Sequence, residues 1–258
     1  MLHSLMLRVC LFYCLLHHVC SGLLNSSVEG RIVKGYEVDI DLYPYSVFLH
    51  FQKDVPTACG SSLVMDRAVV TAAHCLNELK HRDGRITAFL GATIPIHAKV
   101  IRHVVDYRTH PHYRAEKGRY NLGIAFFNAR VPLGRFVKKI PIAFKSPMPG
   151  DFLFTSGWGK QVPNKVPDYS DLRHLKVSKQ ILITDRECEQ YTNFRLSSAY
   201  LCTVSVNGYH YHGDSGNGLV TKDRFLIGVV SYMINEVTIY TDVIFERRWI
   251  ILKFFENC

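Results

Sequence analysis

Three short segments, in a fixed order along the chain, limit the possible folds of this chain more than any other feature. Residues 71–75 (TAAHC) carry a histidine beside a cysteine, residues 121–125 (NLGIA) follow, and residues 213–216 (GDSG) carry a serine. A serine on a glycine-flanked turn can act as a nucleophile while nearby backbone N–H groups face the developing oxyanion. A histidine that takes the serine proton completes this chemistry. The fold must therefore bring together segments that lie far apart in the sequence.

The rest of the chain has the pattern of an all-β fold. Many short apolar or alternating runs are separated by Gly, Pro, Asn and Asp, which is typical of sandwiches and barrels. These runs include residues 45–51, 68–72, 86–90, 99–105, 124–127, 152–155, 225–232 and 237–243. Only the last stretch, residues 246–255, has apolar residues at helical spacing.

These segments resemble the signatures of the chymotrypsin/trypsin-like serine proteases, the peptidase S1 family. The TAAHC and GDSG segments each resemble a catalytic motif, and residues 156–159 (SGWG) resemble a further landmark between them. The resemblance covers residues 31–258. It implies an all-β fold of two six-stranded β-barrels with the active site in the cleft between them, followed by a C-terminal helix.

The resemblance also implies the catalytic residues. His74 and Ser215 correspond to the general base and the nucleophile, and the backbone N–H groups of Gly213 and Ser215 correspond to the oxyanion hole. In the family, a segment reading Asp-Ile-Ala supplies the aspartate that holds the histidine, and here the residue before Ile124 is Gly123. Gly123 is therefore expected at the position of the triad aspartate, where it supplies neither a charge nor a hydrogen-bond acceptor.

Loss of the triad carboxylate predicts impaired catalysis. In trypsin, replacing the aspartate by asparagine lowers kcat about 10⁴-fold. Two nearby acidic residues, Asp106 and Glu116, lie outside the turn that contains Gly123. Neither is expected to replace the triad aspartate, because the orienting carboxylate must lie within hydrogen-bonding distance of the histidine.

The specificity pocket that the resemblance identifies is altered at several positions. Tyr209 replaces the residue at the pocket floor, which is an aspartate in trypsin-like members, and Tyr211 replaces a bridging cysteine. Tyr232 follows Ser231 in the wall segment, and Met233 and Thr238 replace glycines that leave the pocket open; these changes predict an occluded pocket.

The N-terminus predicts a secreted zymogen. Residues 1–21 have the short apolar core and small cleavage-site residues of a signal peptide, and residues 22–31 form a short propeptide before the peptidase S1 domain, residues 32–258. Cleavage after Arg31 by an activating protease would free the Ile32 amino group, which in the family pairs with the aspartate beside the nucleophile, here Asp214. The expected location is extracellular, with no membrane-spanning segment in the mature chain.

The cysteines agree with secretion. The resemblance pairs Cys59 with Cys75 across the histidine loop and Cys188 with Cys202, the second common bridge of the family. Cys258 has no predicted partner and is either free or paired with another chain.

Charge and composition limit the partners. The net charge of +9 permits contact with a polyanion through a basic surface, for which residues 102–119 are the candidate, although a solvated loop is the favoured interpretation. No basic run interleaved with aromatics indicates nucleic-acid binding. Residues 209–212 (YHYH) lack the spaced ligands of a metal site, and the sequence predicts no metal and no cofactor.

Two functions follow from these features. The leading hypothesis is a catalytically impaired serine protease homologue that acts by binding a protein and regulating proteolysis. The alternative is an active or weakly active endopeptidase with unusual specificity, acting on protein substrates, because His74, Ser215 and the activation site are present.

Overall fold

The computed structural model describes residues 35–52, 57–77, 85–115, 119–159, 174–193, 195–208, 210 and 213–256. The predicted signal peptide, propeptide and activation cleavage site lie outside these residues. So do Glu116, Tyr209, Tyr211, His212 and Cys258.

The first half of the chain forms a closed antiparallel barrel. Its six strands pair in the order β2-β3-β4-β7-β6-β5, and β5 pairs with β2 to close the ring. Closure removes the exposed edges that an open sheet would leave unpaired. The strands are β2 (Ser46–Gln52), β3 (Thr57–Met65), β4 (Ala68–Thr71), β5 (Arg85–Leu90), β6 (Val100–Thr109) and β7 (Gly123–Phe127).

The second half forms another closed six-stranded barrel, so the predicted fold is confirmed. The order is β8-β9-β10-β13-β12-β11, and β11 pairs with β8 to close the ring, while a short strand, β1 (Tyr36–Glu37), is added at the edge of β9. The strands are β8 (Phe152–Gly157), β9 (Lys176–Leu182), β10 (Tyr200–Asn207), β11 (Gly218–Thr221), β12 (Leu226–Ile234) and β13 (Val237–Asp242).

Three α-helices of the described residues lie outside the barrels. The short helix α1 (Ala73–Asn77) follows β4, and α2 (Asp185–Thr192) begins with a capping box in which Thr184 and Glu187 satisfy each other's backbone N–H groups. The C-terminal helix α3 (Arg247–Phe255) confirms the predicted helix to within one residue. None of the helices in the described ranges has the length and hydropathy needed to span a membrane.

Contacts between the two barrels define the cleft. The Phe48 and Trp158 rings meet edge to face at 5.9 Å, and the hydroxyls of Ser46 and Ser156 are 2.8 Å apart. Both hydroxyls are buried, and their mutual hydrogen bond satisfies polar groups that would otherwise destabilise the interface. The barrels therefore hold a fixed relative position next to the segments singled out by the sequence.

Candidate active site

His74 is held beside the cleft by a disulfide and a short helix. The Cys59 and Cys75 sulfurs are bonded, which ties α1 to strand β3, and the Thr71 hydroxyl donates to the Gly60 carbonyl at 2.8 Å. The second expected disulfide, Cys188 to Cys202, is also present and ties α2 to β10. The His74 side chain is half-buried, with one edge of its ring turned toward the protein.

The residue that holds the His74 ring is Asn121. Its Oδ1 accepts the His74 backbone N–H at 2.9 Å, and its Nδ2 lies 2.8 Å from His74 Nδ1. Nδ2 also donates to the Ser231 hydroxyl at 2.9 Å, and the Asn121 carbonyl accepts from the Thr241 hydroxyl at 3.2 Å. Asn121 is only 3% exposed, so these bonds fix the amide between the two barrels.

The expectation that Gly123 stands at this position is wrong. Gly123 opens strand β7, paired with Thr71 and Thr109, and a Cβ atom built on it would lie 2.5 Å from Leu76 Cδ1. The expectation arose because Ile124 and the alanine after it match the Ile-Ala of the Asp-Ile-Ala signature. In the structure the buried Leu122 and the small Gly123 take that place, so the polar residue ahead of them, Asn121, faces the histidine. An amide therefore lies beside the His74 ring, where the family has a carboxylate.

The orientation of the Asn121 amide decides which ring nitrogen of neutral His74 carries the proton. A backbone N–H can only donate, so the oxygen must face His74 N and the NH₂ group must face Nδ1. The 2.8 Å contact from Nδ2 is shorter than the 3.2 Å contact from Oδ1, which makes Nδ1 an acceptor rather than a donor. A neutral imidazole with an unprotonated Nδ1 carries its proton on Nε2. That proton occupies the nitrogen that would have to accept the proton of Ser215.

Asp106 does not replace the missing carboxylate. It lies in strand β6, and its carboxylate accepts hydrogen bonds from the Tyr107 backbone N–H and the Arg108 guanidinium. Glu116, the other acid considered, lies outside the described residues.

Two glycines in the left-handed region of backbone conformation flank the Ser215 turn, and the assignment of this turn to an oxyanion hole stays a prediction. Gly213 and Gly216 have φ values of +95° and +88°, a conformation that favours glycine. The Ser215 carbonyl accepts from the Gly60 N–H at 2.8 Å, which fixes the turn against the first barrel. A Cβ on Gly216 would lie 2.3 Å from the Gly60 oxygen, so this close approach requires glycine.

Asp214 is fully buried behind the nucleophile. Its Oδ1 accepts from the Gly159 N–H at 2.9 Å and from Asn217 Nδ2 at 3.0 Å. Asn217 stands where the family usually has a glycine, and its side chain fits because two of its neighbours are glycines. A Cβ atom on Gly60 would lie 1.7 Å from Asn217 Oδ1, and a Cβ atom on Gly157 would lie 2.0 Å from Asn217 Nδ2. Arg31 and Ile32 lie outside the described residues, so their pairing with Asp214 stays a prediction.

Sequence reasoning missed His210, which is buried close to Asp214. Its Nε2 lies 2.9 Å from the Tyr240 hydroxyl, and its Nδ1 lies 3.9 Å from Asp214 Oδ2 without a hydrogen bond. Burial lowers the pKa of His210 to about 3 and raises the pKa of Tyr240. The sequence signal for His210 is its position five residues before Ser215, within the weak metal motif of residues 209–212.

The walls of the expected pocket form a tight hairpin. Met233 in β12 pairs directly with Thr238 in β13, and Tyr232 pairs with Ile239. Thr238 is buried at 3% exposure whereas Met233 is 38% exposed, so Thr238 is the one whose side chain lies in the interior. Burial raises the pKa of Tyr232. The predicted floor residue, Tyr209, lies outside the described residues.

One group of potential metal ligands is found among the described residues: His74 with Cys59 and Cys75. The two sulfurs are bonded to each other, so neither is available as the thiolate that metals bind. The arrangement is the disulfide beside the histidine and gives no reason to assign a metal.

Two arginines of the basic segment 102–119 donate hydrogen bonds to neighbouring backbone carbonyls. The Arg102 guanidinium donates to the Arg130 and Ile101 carbonyls, and Arg114 donates to the carbonyls of Pro111 and Tyr113. The positive charges remain, and contact with a polyanion stays a prediction.

Comparisons with known proteins agree with this geometry. The Trypsin family model matches residues 32–250. Trypsin epsilon of Drosophila erecta is 32% identical over 239 residues, covering 89% of each chain, and Hypodermin-B of Hypoderma lineatum is 28% identical over 247 residues, covering 94% of each. A solved collagenase structure, 21% identical, has the same fold with a TM-score of 0.74 and covers 85% of this chain and 96% of that one.

Proposed function

The chain belongs to the trypsin-like serine protease family, and we propose that it is a secreted member with impaired catalysis that acts by binding a protein. The observation that carries this proposal is the Asn121 amide donating to His74 Nδ1. Members of this family act on protein substrates, so a protein partner in the same cleft is the natural ligand. Its binding would regulate proteolysis by other enzymes.

The catalytic step fails at the first proton transfer. Ser215 can attack a carbonyl only if His74 Nε2 takes the hydroxyl proton, and the tautomer that Asn121 favours already carries a proton there. Even when Nε2 accepts a proton, an amide supplies no negative charge to stabilise the imidazolium. The corresponding replacement in trypsin keeps the geometry but favours the wrong tautomer, and it lowers kcat about 10⁴-fold.

The pocket supports the same proposal. Thr238 is buried in the hairpin that the resemblance assigns to a pocket wall, and this supports a pocket with less room for a substrate side chain. Tyr209 at the expected floor position supplies no negative charge, so a lysine or arginine side chain would lose its hydration there without gaining an ion pair.

Secretion and activation complete the proposal. Residues 1–21 would be removed as a signal peptide, and cleavage after Arg31 would free Ile32 to pair with the buried Asp214. That pairing would order the Ser215 turn into its binding conformation.

A weakly active endopeptidase is the second candidate. Retention of His74, Ser215 and the two positive-φ glycines of the Ser215 turn favours it. Proteases of this family that lose a triad member keep a residual 10³ to 10⁴-fold acceleration over water.

Labelling with a fluorophosphonate tests the proposal, because the probe reports an activated serine and needs little from the pocket. The chain would be cleaved with immobilised trypsin and its new N-terminus verified as Ile32. We expect labelling at least ~10³-fold slower than that of trypsin under the same conditions. A Ser215→Ala variant treated identically gives the background. Labelling at a rate near that of trypsin, abolished by Ser215→Ala, would overturn the proposal.

A further inference from the structure

Tyr120, the residue before Asn121, has an unusual backbone conformation. Its φ angle is +53°, in the left-handed region that glycine and asparagine enter readily and that other residues rarely adopt. Its carbonyl accepts the Leu122 N–H at 2.7 Å, so the chain makes a tight bend with Asn121 at its centre. The surroundings of Tyr120 must therefore offset the cost of this conformation.

The ring of His110 packs directly on the ring of Tyr120. The two rings are stacked, with centroids 4.8 Å apart and an angle of 11° between their planes. The His110 backbone N–H also donates to the Leu122 carbonyl at 2.9 Å, so His110 contacts the residues on both sides of Asn121. A hydrogen bond between the Tyr200 hydroxyl and the Tyr120 backbone further restrains the bend.

A buried carboxylate holds His110 in turn. The His110 Nε2 lies 3.1 Å from Oε2 of Glu246, the residue before helix α3, and the two side chains are only 6% and 7% exposed. The His110 Nδ1 accepts the His112 backbone N–H at 3.3 Å, so the neutral ring carries its proton on Nε2, facing Glu246. The Trp249 ring packs against the same imidazole, 4.9 Å between centroids. These contacts restrict rotation of the His110 ring.

Stability alone does not account for the pair of His110 and Glu246. Glu246 Oε1 is buried and has no hydrogen-bond partner among the described residues. A buried carboxylate that is only partly satisfied adds little net stability, because its desolvation cost offsets the attraction to its partner. The arrangement therefore favours a role in orienting the bend that His110 contacts.

We propose that Tyr120, held by His110 and Glu246, is a positioning residue that fixes the Asn121 side chain against His74. The stacked ring keeps Tyr120 in the left-handed conformation, and this conformation directs the next side chain toward the histidine. The inference rests on the proposed function, since the contact between Asn121 and His74 is the one that carries it.

Hydrogen exchange of the His74 backbone amide tests the inference, because this N–H donates to Asn121 Oδ1. Two variants remove the ring: Tyr120→Ala disfavours a positive φ, whereas Tyr120→Asn tolerates it. Without denaturant, where such amides exchange by local opening, we expect exchange at His74 to become about 5- to 30-fold faster in Tyr120→Ala. In Tyr120→Asn the rate should stay within about 3-fold of the original. The Ile183 amide, which donates to Cys202 in the second barrel, is the reference and should not change.

A second pair of variants changes Glu246. Glu246→Gln keeps an acceptor for the His110 Nε2–H and should leave exchange at His74 unchanged, whereas Glu246→Leu should accelerate it as Tyr120→Ala does. Equal acceleration by Tyr120→Ala and Tyr120→Asn would show that the ring only fills space, and unchanged exchange in Tyr120→Ala would show that the bend needs no support. Either result would overturn the inference. Rapid fluorophosphonate labelling of the unmodified chain would instead overturn the proposed function and would leave these exchange rates unaffected, so the two failures are distinguishable.

Discussion

Replacing Asn121 by aspartate is expected to raise kcat for small ester and peptide substrates about 10⁴-fold, reversing the loss seen in trypsin. The substitution keeps the shape of the side chain. One carboxylate oxygen still accepts the His74 backbone N–H, and the other replaces Nδ2, 2.8 Å from Nδ1 and 2.9 Å from the Ser231 hydroxyl. Nδ1 must then donate, the proton leaves Nε2, and the ring can act as the base for Ser215.

The matched control is Gly123→Asp, which adds a carboxylate two residues away. Its Cβ would lie 2.5 Å from Leu76 Cδ1 and 3.3 Å from the Arg108 carbonyl, so this variant should gain no activity and lose roughly 1 to 3 kcal/mol of stability through overpacking. Turnover by the Asn121→Asp protein must also disappear with Ser215→Ala. An Asn121→Asp protein that stays inactive toward esters with small acyl groups, while it remains folded, would show that the triad is not what limits catalysis.

The free energy of unfolding should fall as the pH is lowered from 7 to 4, and His210 should account for much of the decrease. Burial lowers the pKa of folded His210 to about 3, whereas the unfolded side chain titrates near 6.5. Below pH 6.5 the unfolded chain binds a proton that the folded chain does not, so stability is complete above that pH and declines progressively toward pH 3. The full contribution across this window is roughly 4 to 5 kcal/mol.

Urea unfolding of His210→Gln checks this expectation. Glutamine can still hydrogen-bond to the Tyr240 hydroxyl, which lies 2.9 Å from His210 Nε2, but it does not titrate. The variant should show a flatter dependence of unfolding free energy on pH than the unmodified protein. His97→Gln, a substitution on the exposed surface, should leave the slope unchanged. A His210→Gln protein with the original slope would contradict the burial argument.

Much of the fold follows from local patterns in the sequence. Alternating runs such as residues 45–51 and 237–243 became strands β2 and β13, and the helical spacing after residue 246 became α3. These segments are recognisable because burying one face of a strand or helix imposes a period of two or 3.6 residues. The pairing of strands into two rings came from the resemblance, since ring closure depends on contacts between residues distant in the sequence.

Asn121, the residue that orients the His74 ring, could not be identified from the family signature alone. Matching Ile124 and its neighbour to a family signature moved the alignment by two residues, because Leu122 and Gly123 satisfy the same apolar-small pattern. Hydrogen bonding identifies the correct residue: the His74 backbone N–H needs an acceptor, and Asn121 is the one polar residue of residues 121–125. The chemical conclusion survives the shift because neither glycine nor asparagine is a carboxylate.

His210 was missed for a different reason. A histidine inside a polar run, flanked by tyrosines, gives no sign of being buried, and its contact with Tyr240 joins residues 30 positions apart. Its depressed pKa arises from burial, which is a property of the assembled barrel and of no local segment.

The central claim is that Asn121 holds His74 in the tautomer with a protonated Nε2. Nitrogen-15 NMR of histidine-labelled protein at pH 8.5 measures this directly, with the His74 signals assigned by a His74→Gln variant. The account predicts an unprotonated Nδ1 and a protonated Nε2 in the unmodified protein, and the reverse in Asn121→Asp. A protonated Nδ1 in the unmodified protein would contradict it.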